Sequence, residues 1–159
     1  MNKVYLHKPM GKDELLGRVG GDGKVYDERF GPDDYIGWAN LENGKIYASR
    51  VGPDQYIGRV KINTGEVHLS MFGPDKYMGK VTKDGKIMRH KHLAPDEYLG
   101  RVEDMVSVTH GAAAFLLLIL PTIEEDLNQL ARQAEEAAEE EEQKKAPSKP
   151  SGGEKPKPV

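Results

Sequence analysis

One segment of this chain recurs at a fixed period, and the array of repeats opens and closes on half a repeat. The fullest copies read Gly-Pro-Asp-x-Tyr-Ile-Gly-Arg-Val, and the copies begin at Gly11, Gly31, Gly52, Gly73 and Ala94. A period of about 21 residues means one small supersecondary unit used again and again, too short for a four-stranded propeller blade of about 40–45 residues.

The second copy shows what the unit is. Tyr35-Ile36-Gly37-Trp38-Ala39 sends side chains to two faces in turn, which is strand periodicity. Asn43-Gly44 follows and predicts a type I′ hairpin turn with positive φ at both central residues. Lys45-Ile46-Tyr47 returns as a second strand. Gly31-Pro32-Asp33 forms the outer turn, where proline presets φ and aspartate bonds the backbone that follows. Asp22-Gly23, Thr64-Gly65 and Asp84-Gly85 occupy the hairpin position in the other copies.

Superimposed copies give apolar columns: Leu15, Tyr35, Tyr56, Tyr77, Tyr98; Leu16, Ile36, Ile57, Met78, Leu99; Val19, Ala39, Val60, Val81, Val102; and Val4, Val25, Ile46, Val67, Ile87 on the returning strand. The residue before the outer turn is also apolar: Met10, Phe30, Val51, Phe72, Leu93. An isolated hairpin is marginal in water, so these faces are expected to bury one another. Gly17, Gly37, Gly58, Gly79 and Gly100 form an all-glycine column. Glycine in mid-strand marks a close approach or a bulge; five strands converging on one axis is the reading we take, with five bulges as the alternative.

The ends select the architecture. Lys3-Val4-Tyr5 repeats Lys24-Val25-Tyr26, and the run from Ala94 to Val102 supplies the complementary half. A closed ring uses two such halves, because the first strand pairs with the last and no edge is left open. The expected fold is therefore all-β, a closed pseudo-five-fold ring of antiparallel hairpins over 1–105. A C-terminal apolar and amphipathic helix (106–143) and a disordered Pro/Lys-rich tail (144–159) follow. On these residues, 1–105 resembles the bacterial five-fold β-flower proteins, a family of radial hairpins whose function is not established. The resemblance implies the ring and no activity. A weaker resemblance is to membrane-occupation-and-recognition-nexus repeats, which carry a further Gly-x-Gly in the second strand where this chain has Lys45-Ile46-Tyr47.

Charge is split along the chain. Residues 1–105 hold 17 Lys/Arg and 16 Asp/Glu, whereas 106–159 hold 6 and 10. No basic field marks a nucleic-acid binder. There are no cysteines, which excludes disulfides, thiolate metal sites and a cysteine nucleophile. The first residues lack the apolar run of a secretory signal. The expected location is the cytoplasm or the cytoplasmic face of a membrane.

The stretch 105–123 has no formally charged side chain over 19 residues, just enough for a helix to cross a bilayer core of about 30 Å. Acidic flanks, an internal Pro121 and the lack of interfacial aromatics oppose spanning. Leu116, Leu120, Ile123, Leu127, Leu130 and Ala134 follow a 4, 3, 4, 3, 4 spacing, the seam of a docking or self-associating helix. Thr122 and Glu125 form a capping-box pattern for a helix start. Membrane association and docking both stand as expectations.

Arg18, Trp38, Arg59, Lys80 and Arg101 share one repeat position. They are read either as solvated outer side chains or as a partial cationic crown for an anionic ligand or partner. His90 and His92 have the spacing of a two-histidine pair but lack a third ligand, and the repeated aspartates lack the ligand density of a calcium loop. No metal or cofactor is expected. Nucleophile-elbow, phosphate-loop and dinucleotide motifs do not occur. The functional expectation is a non-enzymatic scaffold or assembly protein, placed on a membrane or partner by its C-terminal helix. The alternative is a soluble binding module that self-associates through that helix and holds an anionic ligand or protein on the ring.

Overall fold

The structure, a computed structural model, describes residues 2–71 and 73–145, and in the last helix the side chains of all but 126, 127, 130 and 142–145. Strands of unequal length alternate: β1 Asn2–Leu6, β2 Glu14–Val19, β3 Lys24–Asp27, β4 Asp34–Ala39, β5 Lys45–Ala48, β6 Gln55–Val60, β7 Glu66–Leu69, β8 Lys76–Val81, β9 Lys86–Arg89 and β10 Glu97–Val102. Each pairs antiparallel with its sequence neighbours, and β1 pairs with β10, so the sheet closes into a barrel. The seam joins Val4 to Val102 and Leu6 to Gly100. The Glu103 N–H donates to the Lys3 carbonyl at 2.9 Å and the His7 N–H to that of Leu99 at 2.8 Å. Buried Asn2 adds side-chain amide bonds to the carbonyls of Glu103 and Asp104.

Successive hairpins are also joined at their turns. The amides of Ala39, Val60, Val81 and Val102 donate to the carbonyls of Gly23, Gly44, Gly65 and Gly85, each at 2.9 Å. The turn at Asn43-Gly44 is not type I′. Asn40 pairs with Lys45 around four loop residues, and among them positive φ falls on Gly44 (77°) and not on Asn43. A loop of this length is built around an ordinary type I turn and needs one left-handed residue.

The glycine column marks bulges. Pairing slips by one residue at Leu16, Ile36, Ile57, Met78 and Leu99, each immediately before its glycine. A β-carbon at Gly17, Gly37, Gly58, Gly79 or Gly100 would fall on the neighbouring strand's carbonyl oxygen. At Gly37, Gly58 and Gly100 it would also meet Leu117, Leu116 and Ile119. The strands therefore do not meet on an axis. Bulges coil the wall, as barrel closure requires, and a helix occupies the middle.

That helix comprises α1 Val108–Ala114, a π-helical turn Phe115–Ile119 and α2 Leu120–Lys145. Every residue of 109–120 is buried. A helix on a surface shows water one face; burial all round requires a wall on every side. α1 touches the five long strands β2, β4, β6, β8 and β10. The inner wall facing it includes Val4, Leu16, Val19, Val25, Ile46, Val67, Val81 and Ile87, each no more than 1 % exposed. Ten strands leave a lumen that their own side chains do not fill, and the helix fills it.

Pro121 shapes the helix without ending it. Proline has no N–H for the Leu117 carbonyl, and its ring presses on that group. The Leu120 N–H bonds the Phe115 carbonyl in the wide π register just upstream. The helix begins at the Ser107 cap, so Thr122 and Glu125 lie inside it and do not open it. Packing divides the chain into the compact units Met1–Pro121 and Thr122–Val159. Where the sequence changes character at 105/106, packing therefore changes at 121/122. Phe72 and the tail 146–159 lie outside the described residues.

Candidate functional site

The outer wall carries the position expected to form a cationic crown. Four of its five side chains reach forward to the next repeat. Arg18 meets Asp33 at 2.5 Å, Arg59 meets Asp75 at 3.2 Å, and Arg101 meets Asp13, which closes the circle. Trp38 donates its indole N–H to Asp54 at 2.9 Å. The turn aspartates are thus acceptors for the wall as well as turn formers. The same side chains stack on the short strands: Arg18 on Tyr26 at 4.2 Å, Arg101 on Tyr5 at 4.4 Å, Trp38 on Tyr47 at 4.6 Å. Four of the five positions are thereby committed to joining repeats.

The fourth copy differs. Asp96 faces His90 at 3.6 Å, and among the described residues Lys80 has no ion pair. Its outer loop, 90–96, has the length of 7–13 and is one residue longer than the loops 28–33 and 49–54. Ala94 stands where the other copies have glycine, and the left-handed position falls on Leu93, at φ 58°. His90 therefore serves as a partner for Asp96 and as a ring neighbour of Tyr77 at 5.0 Å, and among the described residues no three metal-ligating side chains gather.

Asp13 and His68 are among the groups of the ring whose titration is shifted. Burial raises the Asp13 carboxyl, but the Lys8 N–H, Arg101 and His7 outweigh it and hold the group below the usual carboxylate range. Burial, with Arg59 and Lys61 nearby, pushes His68 below the ordinary histidine value, and its Nδ1 is buried without a hydrogen-bond partner. Tyrosine fills this column in three other copies, as Tyr5, Tyr26 and Tyr47.

The column before the outer turn breaks the expectation of burial. Met10, Phe30, Val51 and Leu93 are 96 %, 82 %, 104 % and 93 % exposed. They sit in the loops joining β1 to β2, β3 to β4, β5 to β6 and β9 to β10, all at one end of the barrel. The residues are apolar but lie outside the strands, so no sheet face receives them. Their position next to Gly-Pro was the available signal, since turn tips project.

Of the residues expected as a helix interface, Leu116 and Leu120 are inside the barrel, Ile123 is half-buried and Ala134 is exposed. The side chains of Leu127 and Leu130 lie outside the described ones. The seam is therefore not one open face, because its first two members are core. The window Val108–Glu125 is long and apolar enough to cross a membrane by length and composition, yet 72 % of it is buried in the protein. Comparison with protein-family models, curated proteins and solved structures finds no match to this chain.

Proposed function

We propose that the chain is a non-enzymatic scaffold whose ring, stiffened by its own helix, offers the outer-loop rim to a protein partner. The observation that carries this reading is the exposed apolar tip. Single exposed hydrophobic residues are ordinary, but here one repeat position is apolar in all five copies and fully projecting in the four that are described. Most polar wall side chains in the repeats are engaged with one another, so the rim is the surface with apolar area to give.

A protein partner is favoured over a bilayer by the location of 109–120. The segment that could span is the barrel's filler, and spanning would require it to leave. The closed ring of hairpin pairs supports membership of the five-fold β-flower family, and the cysteine-free sequence supports a cytoplasmic setting; both belong to this proposal. The test is a four-site variant, Met10→Ser, Phe30→Ser, Val51→Ser and Leu93→Ser, compared with wild type for partner capture from the source cells, vesicle flotation and sedimentation. A partner lost only from the variant, at unchanged melting temperature, supports the reading. Tip-dependent flotation on vesicles would move the rim to a membrane. Identical behaviour of both proteins, or self-association through α2 alone, overturns it.

A further inference from the structure

At the opposite end of the barrel, the turn 62–65 and the end of β8 with its following residues, 80–83, enclose a cleft of about 420 Å³. Ile62, Val81 and Val108 provide apolar walls, and Lys80, Lys83, Asn63, Thr64 and Thr82 provide the polar ones. No carboxylate lines it, in a chain with 26 of them. Glu66, directly across the ladder from Lys80, lies 3.7 Å from Lys61, while Asp84 accepts from the Thr82 hydroxyl and lies 3.8 Å from Lys86.

Two lysines without ion pairs among the described residues thus share an apolar-walled cleft of the size that small ligands use. A concave site lined by one sign of charge concentrates ions of the other. The break in five-fold symmetry explains why it lies here. In the other copies the residue equivalent to Lys80 is held by the next turn's aspartate; here Asp96 faces His90 and Lys80 has no ion pair among the described residues.

We propose that this cleft binds a small amphiphilic anion, with an aliphatic or aromatic body against Ile62, Val81 and Val108 and a carboxylate or phosphate between Lys80 and Lys83. The site does not depend on the scaffold reading, since it uses the other end of the barrel. Val108 is the first residue of α1 and stands at the mouth of the lumen, so a bound ligand would rest on the helix as well as on the wall.

The experiment titrates the full-length protein with octanoate, octanol and inorganic phosphate, following backbone amide chemical shifts. Octanoate is expected to give saturable shifts centred on Thr64, Gly65, Lys83 and Val108. The Lys80→Gln/Lys83→Gln double variant should weaken its binding at least about tenfold without lowering the melting temperature. Lys45→Gln/Lys76→Gln, on β5 and at the far end of β8 from Lys80, should leave binding unchanged. Absence of saturable shifts, equal binding of octanol, equal binding of phosphate alone, or an unaffected Lys80/Lys83 variant each overturns the proposal.

Discussion

The barrel and its central helix should fold together or not at all, and two phenylalanines measure this. Phe115 is fully buried, enclosed by the wall, whereas Phe30 is 82 % exposed on a loop tip. Replacing a buried phenylalanine with alanine costs about 3–5 kcal/mol through lost transfer energy and the cavity left behind. For a unit of this size that is a melting-temperature drop of about 10–20 °C. Phe30→Ala should stay within about 0.5 kcal/mol of wild type. Truncation after Met105 is the larger perturbation. It removes Phe115, Leu116, Leu117, Leu118, Ile119 and Leu120, all at most 8 % exposed. At about 1.5–3 kcal/mol for each buried side chain, the loss is about 9–18 kcal/mol, as large as the whole stability of an ordinary domain, about 5–15 kcal/mol. The fragment should show neither a cooperative calorimetric transition nor dispersed amide resonances. A fragment 1–105 that melts cooperatively within about 10 °C of the full chain, or a Phe115→Ala variant no weaker than Phe30→Ala, would refute the reasoning.

Gly58→Ala places a methyl group against the His68 carbonyl oxygen and the Leu116 side chain, and should cost about 1–3 kcal/mol by denaturant titration. Leu93→Gly relieves a left-handed backbone at φ 58° and should stabilise by about 1 kcal/mol, since β-carbon crowding there costs about 1–2 kcal/mol. His68 has a lowered folded-state pKa, so the unfolded chain takes up its proton first as pH falls. Its contribution is present above the unfolded value of about 6.5 and is lost progressively below it. His68→Tyr should flatten the pH dependence of the melting temperature between about pH 5 and 7, and an unchanged slope would count against the assignment. Arg101→Ala removes the inter-repeat contact beside the β1–β10 seam and should speed amide exchange there more than an equivalent change at Arg59, which lies within the continuous part of the sheet.

Much of the ring could be read from the repeats because its determinants are local. Strand alternation, turn glycines and the halves at Lys3-Val4-Tyr5 and 94–102 each act within a few residues of themselves. The site was less legible for the opposite reason. Whether Arg18 is free depends on Asp33, a repeat away, and spacing alone does not say where a side chain turns. The apolar run 109–120 was visible as a buried helix or a span, but its place inside the ring is a consequence of barrel diameter, which no single hairpin encodes. The tip residues looked like core because hydrophobicity was counted by column, whereas burial follows the strand face, and Phe30 has no strand. Lys80 gains its interest from a partner that faces elsewhere, since Asp96 lies against His90, and spacing alone does not show that.

The closure of β1 on β10 also constrains the order of events at birth. Within the ring β1 is synthesised first and its partner β10 last, and the helix that fills the ring comes later still, at 108–120. The ring cannot be completed around a filler that has not yet left the ribosome. Contacts between segments so distant in sequence make folding slow, and until they form, the inward valines and isoleucines of the early hairpins stand open to water. While the ten strands emerge, they therefore form an apolar, open-edged ribbon. It becomes a protected object only when the ribbon wraps the helix that follows it.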